Sequence, residues 1–239
     1  MTSSTVALQA VRGVIFDFHS TLIDAGDPGS WMDAAWRRLG RPADPATTLG
    51  VAASERIRDF LDRIWEHAHT IDPDSERDVS AARHREVFAR TVGLLPEIDP
   101  EFGAALYAAM MGQWVAYDDA VPVLAELRRR GLRIVVLSNI GIDIRDCLRR
   151  EGLADLLDGV VLSFEVGAVK PAPEIFLRAL ELLEVPASQA LMVGDSWRAD
   201  AGAAAVGIPT LLLPPTVGPV HGLEAVLRLV GEMTRQEAL

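Results

Sequence analysis

Residues 13–22 read Gly-Val-Ile-Phe-Asp-Phe-His-Ser-Thr-Leu, an apolar run that passes abruptly into polar side chains. The run 13–18 is short and does not alternate with polar residues, which is typical of a strand covered on both faces of a parallel sheet. A carboxylate at the carboxyl end of such a strand lies where open parallel sheets bind ligands. Asp17 is therefore a candidate functional residue, although an aspartate that only caps a turn or helix would give the same pattern.

Four later runs are similar to the first in length and in their content of Val, Ile and Leu; they span 132–138, 159–164, 190–194 and 208–213. Helical patterns lie between them, at 121–130, 142–150 and 173–183. The first two are followed closely by a glycine, a common helix stop, and the third begins with proline, which is tolerated in a first turn. Strands that alternate with helices indicate right-handed crossovers and a doubly wound sheet.

The segment 27–117 has a different pattern, because it contains no convincing strand and its apolar residues recur at helical spacing. Asp-Pro pairs at 44–45, 72–73 and 99–100 divide it into several helices. We therefore predict an α/β protein with a Rossmann-like, doubly wound parallel sheet as its core. The core comprises 1–26 and 118–239, and an all-helical cap domain, 27–117, is inserted after the first strand.

Three more segments place polar side chains where predicted strands meet helices: Ser138 with Asn139, Lys170 before Pro171, and Asp195 with Asp200. Each has an ordinary structural explanation when taken alone. Asp200, for example, would be a favourable charge near the positive N-terminus of a helix. Together with Asp17, however, these segments bring three carboxylates, a hydroxyl and an amine to one edge of one sheet, which we do not expect by chance.

In order and spacing, these four segments resemble the four motifs of the haloacid dehalogenase superfamily, in the subgroup with a helical cap after the first strand. The resemblance covers nearly the whole chain. It implies a Mg²⁺-dependent phosphatase that hydrolyses a small or medium organic phosphate monoester through a phospho-aspartyl intermediate. It implies that Asp17 is the nucleophile and that Lys170 is its catalytic and phosphate-binding partner. Substrate would be bound by Thr21, Ser138 and Asn139. The metal ligands would be Asp17, Asp195 and the His19 backbone carbonyl, with Asp200 in support of the metal site.

The physical chemistry of these residue types agrees with that reading. Phosphoryl transfer depends mainly on neutralising charge and on placing the reacting groups in line. Mg²⁺ prefers carboxylate oxygens as protein ligands, and a carboxylate can attack a phosphate dianion only if positive charge lies between them. Of the 23 basic residues, all but Lys170 are arginine. A chain that otherwise uses arginine and places its one lysine here favours a specific role for a compact ammonium group.

His19 departs from the family pattern, because phosphatases of this superfamily usually have a second aspartate two residues after the nucleophile. In the family, the metal ligand at that position is the backbone carbonyl, so we expect the metal site to survive the substitution. Proton delivery to the leaving oxygen is what the substitution affects. We hypothesise that His19 is the general acid and base, and we expect nearby carboxylates and phosphate to favour its cationic form.

Three other functions stay open at this point. A 2-haloacid dehalogenase shares the nucleophile and the cap, but it needs no metal and typically carries tyrosine at the position of His19. A phosphomutase differs by protecting its phospho-aspartate from water, which motif spacing does not reveal. A catalytically silent relative that binds a phosphate ligand or a protein partner would explain the missing second aspartate.

Composition limits the partners and the location. Apolar residues make up 49% and charged residues 24% of the 239-residue chain, the balance of a globular protein. The net charge of −11 argues against nucleic-acid binding. Neither a signal peptide in 1–9 nor a membrane-spanning run is visible, so we expect a cytoplasmic protein. We also expect a monomer or homodimer with a small-molecule phosphate ester as substrate, as the resemblance implies. The lone Cys147 is expected to fill the core.

Four tryptophans fall within the predicted cap: Trp31, Trp36, Trp65 and Trp114. They could line an apolar substrate pocket, but aromatic residues in a helical bundle are more often core. His67 and His69 are two positions apart and would point to opposite sides of a helix, so a metal pair is not expected there. No partner is visible for His84 or His221.

Overall fold

A computed structural model describes residues 10–41 and 44–236. Its centre is a five-stranded parallel sheet in the order β5-β4-β1-β6-β7. The strands are β1 Gly13–Phe16, β4 Arg133–Ser138, β5 Gly159–Leu162, β6 Ala190–Gly194 and β7 Thr210–Leu212. All five predicted strands are present, which confirms the parallel-sheet prediction. Residues 1–9, on which the expectation of no signal peptide rests, lie outside the described part.

β1 is buried from end to end, and its side chains alternate between two hydrophobic clusters. Val14 and Phe16 belong to the cluster on one face of the sheet, whereas Ile15 belongs to the cluster on the other. Side chains of successive strand residues point to opposite faces, so a strand covered on both sides has no polar position. This double burial is the reason for the unbroken apolar run that the sequence shows.

Helices cover both faces of the sheet. They are α7 Ala120–Arg129, α8 Arg145–Arg150, α9 Ser163–Val166, α10 Pro173–Leu183 and α11 Glu224–Gln236. The buried faces of α7 and α8 join the cluster of Val14 and Phe16, together with the buried Cys147, as expected for a core-filling thiol. The apolar face of α10 joins the cluster of Ile15. Burial raises the pKa of the Cys147 thiol to about 11, which keeps it protonated and unreactive near neutral pH.

A helical insertion lies between two very short strands, β2 Ile23–Asp24 and β3 Val115–Ala116. Its helices are α1 Pro28–Arg38, α2 Pro45–Leu49, α3 Val51–Asp62, α4 Ile64–Ile71, α5 Ala81–Val92 and α6 Pro100–Ala109, with 3₁₀ helices at Glu76–Val79 and Met110–Gln113. Three of these helices begin at an Asp-Pro pair. The aspartates Asp27, Asp44 and Asp99 each accept a hydrogen bond from a backbone N–H of the first turn, while proline fills the first helical position. No helix in the described residues combines the length and the apolarity needed to cross a membrane.

β2 and β3 pair in antiparallel fashion, with Ile23 opposite Ala116 and Asp24 opposite Val115. The expectation that 27–117 contains no strand is therefore wrong at its C-terminal end. A two-residue strand leaves no periodic pattern in the sequence, and Val115 is 55% exposed. This ribbon brings the entry and the exit of the helical insertion side by side. The division into a core and a cap domain at residues 26 and 117 stays a prediction.

The helical insertion docks onto the loops that follow β4 and β5. The buried hydroxyl of Ser163 donates to the backbone carbonyl of Asp78 and accepts from the backbone N–H of Ile140. Gly141 lies directly beneath Arg77 and His84. A Cβ atom at position 141 would be 2.2 Å from the Arg77 carbonyl oxygen and 2.5 Å from the His84 Cβ. Only glycine allows the insertion to approach the core this closely.

We predict that Gly141→Ala lowers the free energy of unfolding by about 1 to 3 kcal/mol, because the added methyl group overpacks a buried contact. The backbone of Gly141 lies outside the left-handed region, so the variant tests space and not conformation. Gly112→Ala is the matched control, since nothing lies within 4 Å of a Cβ at that position. Urea unfolding of both variants measures the difference. Equal stability of the two would contradict the close contact.

Candidate active site

The predicted site residues meet at the carboxyl edge of the sheet. β1 pairs with β4 on one side and with β6 on the other, with Phe16 opposite both Val136 and Val193. The residues that follow these three neighbouring strands are therefore brought together. Asp17 continues β1, and its backbone N–H donates to the Val193 carbonyl at 2.8 Å. Ser138, the last residue of β4, is buried beside it.

The Asp17 carboxylate is held by two side chains. Lys170 Nζ donates to Oδ1 at 2.5 Å, and the Thr21 hydroxyl donates to Oδ2 at 3.2 Å. Asp17 is only 7% exposed, so both contacts are shielded from water. The turn that carries Thr21 contains Ser20 with a φ of 57°, an uncommon left-handed conformation for a residue other than glycine. Strained backbone of this kind clusters at functional sites.

Lys170 is buried, at 4% exposed, and each of its three donor positions has an acceptor. Besides Asp17, these are Asp200 Oδ1 at 2.7 Å and the Leu137 carbonyl at 3.2 Å. Burial by itself would lower the pKa of Lys170, but the two carboxylates together raise this pKa above its ordinary value. A compact ammonium group suits this three-way contact better than a planar guanidinium would. The exceptional lysine of the sequence is thus explained by its surroundings.

Asn139 positions Lys170. The Asn139 side-chain oxygen accepts from the backbone N–H of Lys170 at 2.7 Å, and its amide group donates to the Lys170 carbonyl at 2.9 Å. The two bonds bracket one residue and fix the loop that delivers the ammonium group. The substrate-binding roles of Asn139, Ser138 and Thr21 stay predictions.

The carboxylates of Asp17, Asp195 and Asp200 form a cluster that could hold a metal ion, with one oxygen from each lying within 4.8 Å of the others. The pKa of Asp195 is raised to about 7 by burial and by repulsion from Asp17 and Asp200. Burial also raises the pKa of Asp200, against the opposing effect of Lys170. A divalent cation would relieve the repulsion that adds to the effect of burial at Asp195. The donor set therefore fits Mg²⁺, which prefers carboxylate oxygens.

Asp200 is fully buried and begins a 3₁₀ helix, Asp200–Val206, where the sequence predicted the start of a helix. Its Oδ2 accepts from the backbone N–H of Ser196 at 2.9 Å, while Oδ1 accepts from Lys170. Gly194 makes room for this carboxylate, because a Cβ at position 194 would lie 2.2 Å from Asp200 Oδ2. Asp200 thus holds Lys170 and the backbone of Ser196 in place beside the other carboxylates.

His19 lies against two aromatic rings at the edge of the carboxylate cluster. Its ring meets Phe18 and Trp114 edge to face, with centroids 4.7 and 4.4 Å away. Burial, followed by the positive charge of Lys170, lowers the pKa of His19 to about 4. In the protein without phosphate, burial and the nearby ammonium therefore outweigh the effect of the carboxylates on His19. The expectation of a cationic His19, which included a bound phosphate, stays a prediction.

A cavity of about 200 Å³ opens beside His19 at the boundary between the core and the helical insertion. The core contributes the side of the wall formed by His19, Ser20, Ala25, Asn139 and Ile140, and the insertion contributes Trp65, Arg77, Asp78, His84 and Trp114. Of the four tryptophans, two therefore line the cavity, whereas Trp31 and Trp36 are buried in the core of the insertion.

Sequence reasoning missed three polar residues of this cavity wall: Arg77, Asp78 and His84. His84 does have a partner, because its Nδ1 lies 2.9 Å from the Tyr107 hydroxyl. No motif marks these residues, since docking of the insertion onto Ser163 and Gly141 brings them to the site. His67 stacks on Phe60 and belongs to no metal cluster found among the described residues.

A larger cavity lies elsewhere in the described part of the chain. It measures about 540 Å³ and runs between α5 and α6 on the outer side of the insertion. Its wall is mostly apolar and includes none of Asp17, Asp195, Asp200, Lys170 or His19. Despite its size, this cavity is therefore not part of the candidate active site.

The family model for haloacid dehalogenase-like hydrolases matches residues 11–207, which spans the sheet edge and the helical insertion together. The chain belongs to the haloacid dehalogenase-like hydrolases.

Several relatives of this chain are named as phosphatases. A ribulose-1,5-bisphosphate 5-phosphatase from Halopiger xanaduensis is 40% identical over 198 residues, covering 73% of this chain and 80% of that protein. A phosphoglycolate phosphatase from Cupriavidus necator is 30% identical over 217 residues, covering 88% and 83%. A crystal structure of a phosphatase of this family from Thermococcus onnurineus shares the fold, with a TM-score of 0.60, 24% identity and coverage of 92% and 98%. These comparisons confirm the predicted enzyme class, a phosphatase-type hydrolase.

We predict that Lys170→Met destabilises the protein by about 3 kcal/mol or more, because it leaves Asp17 and Asp200 buried without their shared cation. The double variant Lys170→Met/Asp200→Asn should lose less stability than the sum of the two single variants. Thermal or urea unfolding of the four proteins in metal-free buffer measures this coupling. Additive losses would contradict a shared ion pair.

Proposed function

We propose that this protein is a Mg²⁺-dependent phosphatase that hydrolyses a small organic phosphate monoester through a phospho-aspartyl intermediate on Asp17. One observation carries the proposal: Lys170 holds the Asp17 carboxylate beside Asp195 and Asp200 in a shielded cluster. A carboxylate with a purely structural role does not require two further carboxylates beside it. It also does not require a shared buried lysine whose pKa is raised.

Asp17 is the nucleophile in this proposal. Thr21 and Lys170 fix the orientation of its carboxylate, so that attack on phosphorus costs little reorganisation. Lys170 also neutralises part of the negative charge that builds up between the carboxylate and the phosphoryl oxygens. Ser138 and Thr21 are proposed to bind the phosphoryl oxygens. Asn139 is proposed to contribute indirectly, by holding the Lys170 backbone in position through two hydrogen bonds.

Asp17, Asp195 and the backbone carbonyl of His19 would hold Mg²⁺, with Asp200 anchoring the loop and the lysine behind them. When bound there, the ion supplies positive charge to the phosphoryl group and helps to align it. The pKa of Asp195 is raised first by burial and then by Asp17 and Asp200, and a cation held there would offset the second of these effects.

His19 is proposed to transfer the proton in the second half of the reaction. With a pKa lowered to about 4, its imidazole is neutral near pH 7, and a neutral imidazole accepts a proton. It would take the proton of the water that attacks phosphorus, as the bond between Asp17 and the phosphoryl group breaks. The role is narrower than the combined acid and base role expected from the sequence.

The cavity beside His19 sets the size of the leaving group. At about 200 Å³ it is below the range of pockets that bury drug-sized ligands. The relatives are named for phosphorylated compounds of this small kind, ribulose-1,5-bisphosphate and phosphoglycolate. We propose a small, polar phosphorylated metabolite as substrate, and residues 27–117 as the cap that covers it.

The first test is hydrolysis of p-nitrophenyl phosphate with and without Mg²⁺. We predict metal-stimulated release of phosphate that is lost, by about 10³-fold or more, in Asp17→Asn. Asp195→Asn should remove the response to Mg²⁺. Asp59→Asn, on the exposed side of α3, is the matched control and should behave as the wild type.

Two further assays could contradict the proposal. Metal-independent release of halide from a 2-haloacid would make the protein a dehalogenase. Tight binding of inorganic phosphate without hydrolysis of any phosphate ester would make it a silent relative.

We predict that His19→Ala traps the enzyme after its first chemical step. Mixing the variant with p-nitrophenyl phosphate should release about one p-nitrophenolate per active site in a burst, followed by turnover about 100-fold slower than the wild type. Stopped-flow absorbance measures both phases. His69→Ala, on the exposed face of α4, should show neither effect. Slow turnover without a burst would show that His19 acts before the intermediate forms.

A further inference from the structure

We infer that Asp78 of the helical insertion is the proton donor to the leaving oxygen, so that Asp78 and His19 divide the work of the single carboxylate that the family usually places after the nucleophile. This inference rests on the proposed phosphatase function and deepens it. It assigns a catalytic role to a residue that lies far from the four motifs in sequence and reaches the site through docking of the insertion.

The backbone of Asp78 is fixed onto the core. Its carbonyl accepts the buried hydroxyl of Ser163, and its N–H donates to the Ser75 carbonyl at 2.9 Å within the 3₁₀ turn. Asp78 lines the cavity beside His19, and its side chain is 13% exposed. An anchored residue in the wall of this cavity can meet the oxygen that leaves phosphorus if the substrate occupies the cavity.

Burial favours the protonated form of Asp78 more than that of an ordinary exposed carboxylate. Burial raises the pKa of Asp78 to about 6, and Arg77, with Nη2 3.7 Å from Asp78 Oδ2, opposes that shift. Asp72 raises the Asp78 pKa further, and Lys170 on the core side lowers it. Asp78 therefore carries its proton below about pH 6 and exchanges it readily near neutrality, as a general acid must.

The remaining titratable groups of the cavity cannot replace it as donor. His84 on α5 has a pKa lowered to about 4, chiefly by burial and then by Arg77 and His19. Its imidazole is neutral near pH 7 and accepts protons, whereas the ester oxygen needs one. His19 is already assigned to the proton of the attacking water in the proposed function. Among the described residues of this wall, Asp78 alone offers a carboxyl group.

The proton and bond changes balance over one turnover. The Asp78 carboxyl proton passes to the ester oxygen as its bond to phosphorus breaks and the bond from Asp17 to phosphorus forms, which releases the alcohol. Water then bonds to phosphorus and gives a proton to His19 as the bond from Asp17 to phosphorus breaks, which releases phosphate. Transfer of the imidazolium proton to the Asp78 carboxylate restores both groups.

The test compares two substrates whose leaving groups differ in their need for a proton. The glycerol of glycerol phosphate leaves as an alkoxide unless its ester oxygen is protonated, whereas p-nitrophenyl phosphate releases a stable phenolate. We predict that Asp78→Asn lowers kcat/KM for glycerol phosphate by about 100-fold or more and that for p-nitrophenyl phosphate by less than about fivefold. Glu76→Gln, an exposed carboxylate of the same 3₁₀ helix, should change neither.

The pH profile gives a second readout. In the wild type, the rate with glycerol phosphate relative to p-nitrophenyl phosphate should fall as the pH rises above about 6, because the donor loses its proton. Asp78→Asn should lack this limb. Inhibition by inorganic vanadate checks that the core site of the variant is intact, with an inhibition constant within about threefold of the wild type.

Each other outcome overturns the inference. Equal losses for both substrates, or lost vanadate inhibition, would make Asp78 a docking residue. If Asp78→Asn has the activity of the wild type, and His19→Ala loses more activity with glycerol phosphate than with p-nitrophenyl phosphate, then His19 is the donor. Absence of Mg²⁺-dependent hydrolysis in the wild type would overturn the proposed function itself, a result that is read without any Asp78 variant.

Discussion

The structure of the site depends on one buried ammonium group shared by two carboxylates. Lys170 contacts Asp17 and Asp200 at 2.5 and 2.7 Å, in surroundings that exclude most solvent. Breaking such a pair costs more than making it gains, because each partner alone would be an uncompensated buried charge. The fold must therefore hold the lysine loop in place, and Asn139 does so through two hydrogen bonds to the Lys170 backbone.

The rest of the site follows from fixing that lysine. Asp200 must be buried to reach it, and Gly194 leaves the space that Asp200 occupies. Asp195 lies beside Asp17 and Asp200, and burial together with their repulsion raises its pKa to about 7. Lys170 is thus stabilised by its partners, whereas Asp195 has like charges as neighbours, a repulsion that a bound cation would offset.

Much of this could be predicted from the sequence, because local patterns carry the information. The apolar run before Asp17 marks a strand covered on both faces, and the parallel order of strands brings Asp17, Ser138 and Asp195 to one edge. The charge of His19 could not be predicted, since it depends on burial against Trp114, a residue distant in sequence. The same holds for Asp78, which sits in an irregular turn and faces the cavity only because Ser163 and Gly141 receive the helical insertion.

The antiparallel pairing of Ile23–Asp24 with Val115–Ala116 has a consequence for how such an enzyme can diversify. Because the ribbon keeps the two chain crossings adjacent, residues can be gained, lost or exchanged between them while every strand of the sheet retains its register. Changes within the insertion can then leave the sheet edge that carries Asp17, Lys170, Asp195 and Asp200 unaltered. Only those changes that displace the cavity wall supplied by the insertion, with Asp78 in it, would reach the proposed chemistry.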